Sequence, residues 1–344
     1  MAKPTIFWLG ATGYVGSEAL LILNDYLPRP HSHHIVALVR NVTPHRESAL
    51  TRLYSDIEIV EGTADDVETI QKTSERADVV INTCDSLHPP SVKAILAGLT
   101  TRAEVNAGAP APIYVHVSGV SIISDRCNGD FVEEPTEWTD NNLDVHAKCV
   151  GAYVKSGKRL SHIAEASMRS EHPICTFVLN PALIYGIGAG IQFTTFWVRD
   201  WIERSKAAGY SGTFGEGANA LSHIHVHDVV TALLIVLRAA LDGKVQGGKD
   251  SNYFVGVSGT EQRAWAKVIG DCLYNKGLIK EAGCRPWPEA VTGPKDSLWW
   301  WAYAGNQIVR PDRLYALGWE PTETKKQGPI DSLPEAMEIA LQMK

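Results

Sequence analysis

Three regularly spaced glycines near the start of the chain have the pattern of a phosphate-binding turn. The segment Gly10-Ala11-Thr12-Gly13-Tyr14-Val15-Gly16 follows the apolar run Thr5–Leu9 and precedes a stretch with helical spacing of leucines. In such a unit Gly10 permits a sharp turn, Gly13 lets backbone amides approach a pyrophosphate, and Gly16 allows close packing of helix and strand. The strand before the turn and the helix after it predict a dinucleotide site rather than a simple tight turn.

A cation follows the second apolar run, Ile35–Val39. An acidic residue at this place would bind the ribose 2′-hydroxyl of NAD, whereas a cation accommodates the 2′-phosphate of NADP. The residue is Arg40, and no Asp or Glu stands beside it. Arg40 therefore favours NADP(H) as the cofactor. The alternative is that Arg40 only stacks on the adenine and accepts either dinucleotide.

The histidines and cysteines give a weaker signal for chemistry. His223, His225 and His227 alternate along a predicted strand, which is one arrangement of zinc ligands. The six cysteines form no Cys-x-x-Cys pair and have no zinc spacing. We therefore expect free thiols in a reducing compartment and no metal site.

The elements that must position these residues alternate between strands and helices. Short apolar runs predict buried strands at Thr5–Leu9, Ile35–Val39, Ile57–Val60, Val79–Ile81, Ile113–Val117, Thr176–Leu179, His223–Val226 and Tyr253–Val255. Helical patterns cover Pro90–Leu99, Lys158–Ser170 and Asp228–Leu241. This order predicts an α/β fold with a Rossmann-type, doubly wound parallel sheet and a smaller, discontinuous C-terminal substrate domain.

Two regions depart from this alternation. Residues 121–157 are polar and contain scattered Gly, Pro and Asn, which predicts a long functional or mobile loop. Six of the ten tryptophans lie from Trp265 onward, among them Trp299, Trp300 and Trp301. They suit either an apolar ligand site or a small core filled by large side chains, and one or two of the three neighbours are expected at a pocket.

Composition excludes several classes of protein. Of 344 residues, 44% are hydrophobic and 21% are charged, which is typical of a globular chain. The net charge of −7 does not favour nucleic acid or an anionic membrane as partner. The longest uncharged apolar run, Val229–Leu237, is far shorter than the roughly 18 residues of a membrane span. With no signal-peptide pattern at the N-terminus, we expect a cytoplasmic protein.

Five motifs resemble those of the extended short-chain dehydrogenase/reductase superfamily, in its NAD-dependent epimerase/dehydratase group. In chain order they are GATGYVG at 10–16, ADVVINTCD at 77–85, YVHVSG at 114–119, NPALIYGIG at 180–188 and HIHVHDVV at 223–230. The resemblance implies a nucleotide domain over 1–186 and 223–258, and a substrate region over 187–222 and 259–344. It also implies a homodimer and a structural role for the alternating histidines. The dinucleotide contacts that it implies are Gly10, Thr12, Gly13, Tyr14, Val15, Gly16, Arg40, Asn82, Thr83, Cys84, Pro181, Leu183 and Ile184.

The catalytic residues depart from the pattern of this superfamily, which uses a Tyr proton donor, a Lys four residues later and a Ser or Thr. None of the eleven tyrosines has a Lys four residues on. The best alignment places Lys158 and His162 at the two positions, so they could form an acid/base pair on one helix face. Ser118 stands one residue from the expected hydroxyl position. The remaining candidate donors are Tyr185, Tyr153 and Lys155.

These observations predict an NADP(H)-binding enzyme that reduces a carbonyl or imine of a hydrophobic or aromatic small molecule. A sugar nucleotide would need a cationic pocket for its diphosphate, and the C-terminal third offers tryptophans instead. Two alternatives stay open: a redox-neutral isomerase, cyclase or epimerase-like enzyme with a retained cofactor, and a non-enzymatic NADP sensor.

Overall fold

Seven parallel strands form the centre of the molecule in a computed structural model, which describes residues 3–86, 88–141, 174–248 and 251–343. The strands, in chain order, are β1 Thr5–Leu9, β2 His34–Val39, β3 Ile57–Glu61, β4 Val79–Asn82, β5 Ile113–Val117, β6 Glu137–Thr139, β7 Cys175–Pro181, β8 Leu183–Tyr185, β9 Tyr210–Thr213, β10 Ala220–His225, β11 Asn252–Val255, β12 Val257–Glu261, β13 Glu281–Pro286 and β14 Ile308–Arg310. The central sheet has the order β11-β7-β5-β4-β1-β2-β3. The predicted doubly wound α/β fold is confirmed.

The order in which successive strands are added to the parallel sheet reverses between β1 and β4. The chain runs outward from β1 to β3, then returns so that β4 pairs with β1 on its other side. A crevice opens beyond the carboxyl ends of strands at such a reversal, and ligands of α/β proteins bind there. The reversal therefore places the turn after β1 and the segment after β4 at one edge of the sheet.

Both faces of the sheet are covered, which explains why its strands are apolar without alternation. Along β1, Ile6 and Trp8 pack into one buried cluster, whereas Phe7 and Leu9 pack into a second cluster on the opposite face. Twelve helices of the described residues accompany the strands. They are α1 Tyr14–Tyr26, α2 Pro44–Leu53, α3 Val67–Ser74, α4 Pro89–Val105, α5 Phe196–Ala208, α6 Val226–Leu241, α7 Gln262–Asn275, α8 Glu289–Thr292, α9 Leu298–Tyr303, α10 Asp312–Ala316, α11 Thr322–Lys326 and α12 Pro329–Gln342.

Several predicted boundaries shift by a few residues. Strand β10 ends at His225, because the His225 imidazole accepts a hydrogen bond from the His227 amide and caps helix α6. His227 therefore lies on a helix and not on the strand, contrary to the predicted alternation. Within the predicted loop 121–157, the described part contains the end of a 3-10 turn, Val120–Ile123, and strand β6. The helix predicted over 158–170 lies outside the described residues.

A separate aromatic core lies beside the sheet. Trp197, Trp201, Trp265, Trp287 and Trp300 belong to one buried cluster, called here the aromatic core, which draws on α5, α7, α9 and α12. Most C-terminal tryptophans thus serve packing, as one of the two interpretations predicted. The predicted domain division stays a prediction, and residues 309–319 of the predicted substrate region pack with the sheet instead.

No helix among the described residues is both long and apolar enough to cross a membrane.

Candidate active site

A cleft of about 510 Å³ opens at the carboxyl ends of the central strands. One wall comes from the sheet, with Tyr14 and Val15 after β1, Ser118 after β5 and Pro181 at the end of β7. The facing wall comes from the aromatic core and its neighbours, and consists of Trp197, Leu221, Ala302, Tyr303 and Gln307. The cleft therefore lies where the reversal of the sheet predicts a ligand site.

The glycine-rich turn leaves the start of helix α1 open. Gly10 has φ of +84°, and a Cβ there would lie 2.7 Å from the Thr83 carbonyl carbon and the Cys84 amide nitrogen. A Cβ on Gly16 would lie 2.1 Å from the Gly10 carbonyl oxygen, so helix and turn are in direct backbone contact. Gly13 is the N-cap of α1, and no side chain of a described residue caps this terminus. Free amides at a helix N-terminus favour an anion such as a pyrophosphate.

Arg40 is exposed directly after β2. Its guanidinium forms no hydrogen bond or ion pair with another described residue, so it is available to a ligand. A second cation lies beside it, since Arg46 donates from Nη1 to the carbonyls of Arg40 at 2.6 Å and Asn41 at 3.1 Å. This strand end therefore carries two guanidinium groups, and the Glu61 carboxylate is also near, since it accepts from the Val42 amide at 3.0 Å.

The residues at the end of β4 and directly after it divide between the cleft and the interior. Thr83 and Cys84 line the cleft, as predicted for cofactor contacts, although the Thr83 hydroxyl is also held by Trp8 Nε1 at 3.1 Å and the Leu9 carbonyl at 3.0 Å. Asn82 does not line the cleft. Its side chain is buried, and the amide nitrogen lies 3.4 Å from His116 Nδ1. The predicted contact between Asn82 and the cofactor stays a prediction; in the structure Asn82 Oδ1 accepts from the Cys84 amide at 3.0 Å and so supports the segment that lines the cleft.

A buried polar pair on β5 was missed by sequence reasoning. The Tyr114 hydroxyl lies 2.8 Å from His116 Nδ1, and both side chains are fully buried. Burial lowers the pKa of His116 to about 4, so its imidazole is neutral near pH 7. The alternation in Tyr114-Val115-His116 was the available signal, because residues i and i+2 of a strand share one face.

The predicted catalytic residues meet different outcomes. Ser118 lines the cleft, and its amide donates to the Leu179 carbonyl at 2.7 Å. Tyr185 is 2% exposed and does not line the cleft; its hydroxyl donates to the Gln327 carbonyl at 2.6 Å. Burial raises the pKa of Tyr185 to about 12, and we assign it a packing role. Lys158, His162, Tyr153 and Lys155 lie outside the described residues.

Leu183 and Ile184 line the cleft together with Pro181, and their predicted contact with the nicotinamide stays a prediction. These two residues belong to β8, which pairs in parallel with β10. The alternating histidines behind this strand pack against Tyr185, whose ring centroid is 5.6 Å from those of His223 and His225. Among the described residues no three His, Cys, Asp or Glu side chains are grouped as metal ligands would be.

Among the described residues, the lining of the cleft carries little charge, and its rim is aromatic. Asp85 is the one charged residue among the described residues that line it, and no Lys, Arg or His of the described chain does so. Phe196 stands at the rim with 59% of its surface exposed. Its ring neighbours Trp299, which in turn stacks on Tyr303 with an interplanar angle of 2°. These features suit a flat, apolar ligand better than an anionic one.

The first turns of α1 also hold the loop after β8. The Tyr14 hydroxyl donates to the Gly186 carbonyl at 2.7 Å, and the Ser17 hydroxyl accepts from the Ile191 amide at 2.8 Å. Glu18 Oε2 accepts from the amides of Ala189 at 2.6 Å and Gly190 at 3.1 Å. This loop leads directly to Gln192, Thr195 and Phe196 of the cleft. One helix thus supports both the phosphate turn and a wall of the cleft.

Glu18 carries a buried charge in this contact. Burial by itself raises the pKa of Glu18, but hydrogen bonds from His227 and the loop amides outweigh it, and the net pKa is lowered. The His227 imidazole, 3.3 Å from Glu18 Oε1, has a raised pKa because of the same hydrogen bond. Sequence reasoning missed this pair, although an acid inside the apolar helix 14–26 was a signal.

Comparisons with known proteins agree with this architecture. The chain is 25% identical over 289 residues to "Oxidase ucsJ" of an Acremonium species, covering 80% of each chain. Among solved structures it is similar to DesIV, a dTDP-glucose 4,6-dehydratase from Streptomyces venezuelae with NAD and TYD bound, with a TM-score of 0.62, 14% identity and coverage of 97% and 96%. It is also similar to UDP-glucose 4-epimerase from Thermotoga maritima with UDP-glucose, with a TM-score of 0.60, 14% identity and coverage of 98% and 100%.

A profile of the NAD dependent epimerase/dehydratase family matches residues 6–252. This range includes the phosphate turn, the sheet and the sheet wall of the cleft. The chain therefore belongs to the NAD dependent epimerase/dehydratase family.

Proposed function

We propose that this protein binds NADP(H) and catalyses hydride transfer between the cofactor and the carbonyl or imine carbon of an apolar, aromatic small molecule. The observation that carries the proposal is that Tyr14 and Val15 belong both to the open start of α1 and to a cleft whose described lining is mostly apolar and includes aromatic residues. A phosphate site and an apolar ligand site are thereby adjacent. The relative named an oxidase and the neighbours solved with NAD support a nicotinamide chemistry.

The residues present fit such a cofactor. The amides at the start of α1 would hold the pyrophosphate, and the cradle has room because a Cβ on Gly13 would approach only the Gly10 carbonyl, at 3.1 Å. Arg40, with Arg46 beside it, would bind the 2′-phosphate. Pro181, Leu183 and Ile184 would line the nicotinamide. The bound dinucleotide would supply the hydride.

The chain's own groups would handle the substrate oxygen and the proton. Ser118 lines the cleft directly after β5, and its hydroxyl would orient the carbonyl oxygen of the substrate. Reduction needs one proton on that oxygen for each hydride on carbon, and we propose the Lys158–His162 pair as its source. The apolar and aromatic residues of the described lining, among them Leu221, Trp197 and Tyr303, support an apolar substrate.

Titration calorimetry with NADPH and NADH tests the cofactor. We expect NADPH to bind about 10- to 100-fold more tightly, because a charge-assisted hydrogen bond to the 2′-phosphate contributes about 1.5–3 kcal/mol. Arg40→Ala should remove most of this preference. Arg29→Ala is the matched control, because Arg29 is also exposed but precedes β2, at the other end of the strand. Equal affinities for the two dinucleotides, or an unchanged preference in Arg40→Ala, would contradict NADP selectivity.

Oxidation of NADPH in the presence of aromatic ketones and imines tests the reaction. Stoichiometric loss of NADPH with formation of alcohol or amine is the expected result. Conversion of a substrate without net NADPH oxidation would instead identify a redox-neutral enzyme. Cofactor binding that only changes association with another protein would identify a sensor.

A further inference from the structure

Gln307 is a fixed polar residue in the wall of the cleft that faces the sheet. It is 3% exposed and lines the cleft. Its backbone is held on both sides, because its amide donates to the Ala220 carbonyl at 3.0 Å and its carbonyl accepts from the Ser222 amide at 2.9 Å. The side chain is therefore attached to a rigid support.

The hydrogen bonds of Gln307 determine which atom it presents. The side-chain nitrogen donates to the carbonyls of Trp301 at 3.3 Å and Ala302 at 2.9 Å. A flipped amide would place its oxygen against these two carbonyl oxygens, which is unfavourable. The side-chain nitrogen is thus held by two backbone carbonyls, and among the described residues none donates to Oε1. The group that Gln307 offers to the cleft is an acceptor.

The surroundings of this acceptor are apolar. Leu221, Ala302 and Trp197 line the same wall. The Trp197 indole N–H already donates to the Ile184 carbonyl at 2.7 Å, so it is not a partner for Gln307. A buried acceptor that a ligand leaves unpaired after displacing water costs binding free energy. The wall therefore discriminates between ligands by whether they bring a donor.

We propose that Gln307 makes the site selective for aromatic or conjugated apolar substrates that carry an N–H or O–H donor, such as phenols, indoles or secondary amides. The inference rests on the proposed function, since it specifies the substrate class of the same cleft. The ring system would contact the apolar wall, and its donor would bind Gln307 Oε1. Gln307 is thus assigned to recognition and takes no part in the proton or hydride transfer.

Equilibrium dialysis of the NADP⁺-loaded protein with three probes tests this assignment. The probes are 2-naphthol, which has a donor, and naphthalene and 2-methoxynaphthalene, which have none. We expect 2-naphthol to bind at least about tenfold more tightly than either. Naphthalene is the smaller compound, so its weaker binding cannot come from a steric clash. Naphthalene binding as tightly as 2-naphthol would overturn the assignment.

Substitution at position 307 provides the second arm. Gln307→Met should bring the affinities for 2-naphthol and naphthalene to within about threefold, whereas Gln342→Met, at an exposed glutamine, should keep the tenfold preference. Retained NADP⁺ affinity shows that a variant is folded. If Gln307→Met does not fold, the affinities of the three probes for the wild type still test the proposal. Retained preference in folded Gln307→Met would overturn the inference alone. Failure of all three probes to bind the NADP⁺-loaded protein would instead overturn the apolar substrate of the proposed function.

Discussion

At the scale of single residues, the glycines of the phosphate turn have different physical requirements. Gly10 and Gly16 are constrained from within the protein, because a Cβ on either would meet backbone atoms at 2.7 Å or less. Gly13 has an extended backbone with φ of −79°, and a Cβ there would meet only the Gly10 carbonyl oxygen, in a tight but milder contact of 3.1 Å. The requirement for glycine at position 13 therefore comes from the proposed ligand rather than from the fold.

Gly13→Val separates these two causes. The variant should fold, because the added Cβ approaches only the Gly10 carbonyl, yet it should lose NADPH affinity by at least about 100-fold, since the side chain fills the pyrophosphate space. Gly16→Ala should instead lower the melting temperature, owing to the 2.1 Å approach to the Gly10 carbonyl. Calorimetry and thermal unfolding measure the two effects. Wild-type NADPH affinity in folded Gly13→Val would show that the phosphate turn is misplaced.

The proposed acid/base pair rests on sequence spacing, since Lys158 and His162 lie outside the described residues. If they replace the usual Tyr–Lys pair, His162→Ala should lower single-turnover rates by roughly 10²–10⁴-fold with little change in NADPH affinity. Lys158→Ala should shift the pH profile upward, because loss of a neighbouring positive charge raises the imidazole pKa. Wild-type rates in both variants would leave Ser118, water or the substrate as the proton source.

At the scale of elements, helix α1 connects the proposed cofactor site to the loop 186–191. Glu18 holds this loop through two backbone amides, and His227 of α6 neutralises Glu18 from the other side. The interaction depends on pH in a defined window. Because the pKa of Glu18 is lowered in the folded protein, its contribution to stability is fully present above about pH 4.5. It is lost as the pH falls through the lowered pKa. Because the pKa of His227 is raised in the folded protein, its contribution to stability is fully present below about pH 6.5. It is lost as the pH rises through the raised pKa.

Thermal unfolding between about pH 5 and about pH 9 tests this contact. The melting temperature of the wild type should exceed that of His227→Gln most near pH 5–6 and approach it at alkaline pH. Because the His227 side chain is 35% exposed, we expect salt to reduce the difference. Glu18→Gln should abolish the same pH-dependent increment. A constant offset between wild type and His227→Gln at all pH values would contradict an ionic contribution.

The sequence predicted those elements whose signal is local. Apolar strands buried on both faces and a glycine turn followed by a helix are readable from neighbouring residues, and both are confirmed. Features that depend on distant contacts were missed. The Glu18 carboxylate accepts from the Ala189 amide, 171 residues away, and the Tyr185 hydroxyl donates to the Gln327 carbonyl, 142 residues away. Gln307 gave no signal either, since its role as an acceptor follows only from the carbonyls that occupy its nitrogen.

At the scale of the whole molecule, two kinds of packing face each other across the cleft. The sheet side is mainly aliphatic but includes Trp8, whose indole N–H donates to the Thr83 hydroxyl beside the glycine-rich turn. The opposite side is the aromatic core. There the ring centroid of Trp201 lies 4.5 Å from that of Trp265 and 4.7 Å from that of Trp287. If the predicted domain division is correct, each core supports one half of the site. The predicted homodimer is independent of this arrangement and stays a prediction.

A pair of matched substitutions tests whether the two halves are separable. Trp8 and Trp201 are both fully buried, and each indole donates one hydrogen bond, to Thr83 Oγ1 and to the Gly212 carbonyl respectively, at 3.1 Å. Each change to Phe leaves a small cavity and an unpaired acceptor, so both should cost on the order of 2 kcal/mol of unfolding free energy.

Their effects on binding should differ. Trp8→Phe should weaken NADPH, whose phosphate turn it supports through Thr83, and leave 2-naphthol affinity within about threefold. Trp201→Phe should do the reverse, because its neighbour Tyr303 lines the cleft while the phosphate turn packs with the sheet. Calorimetry for NADPH and equilibrium dialysis for 2-naphthol, run on both variants, give the four affinities. If Trp201→Phe weakens NADPH as much as 2-naphthol, the cleft is one cooperative unit, because a change in the aromatic core then alters the turn on the opposite wall of the cleft.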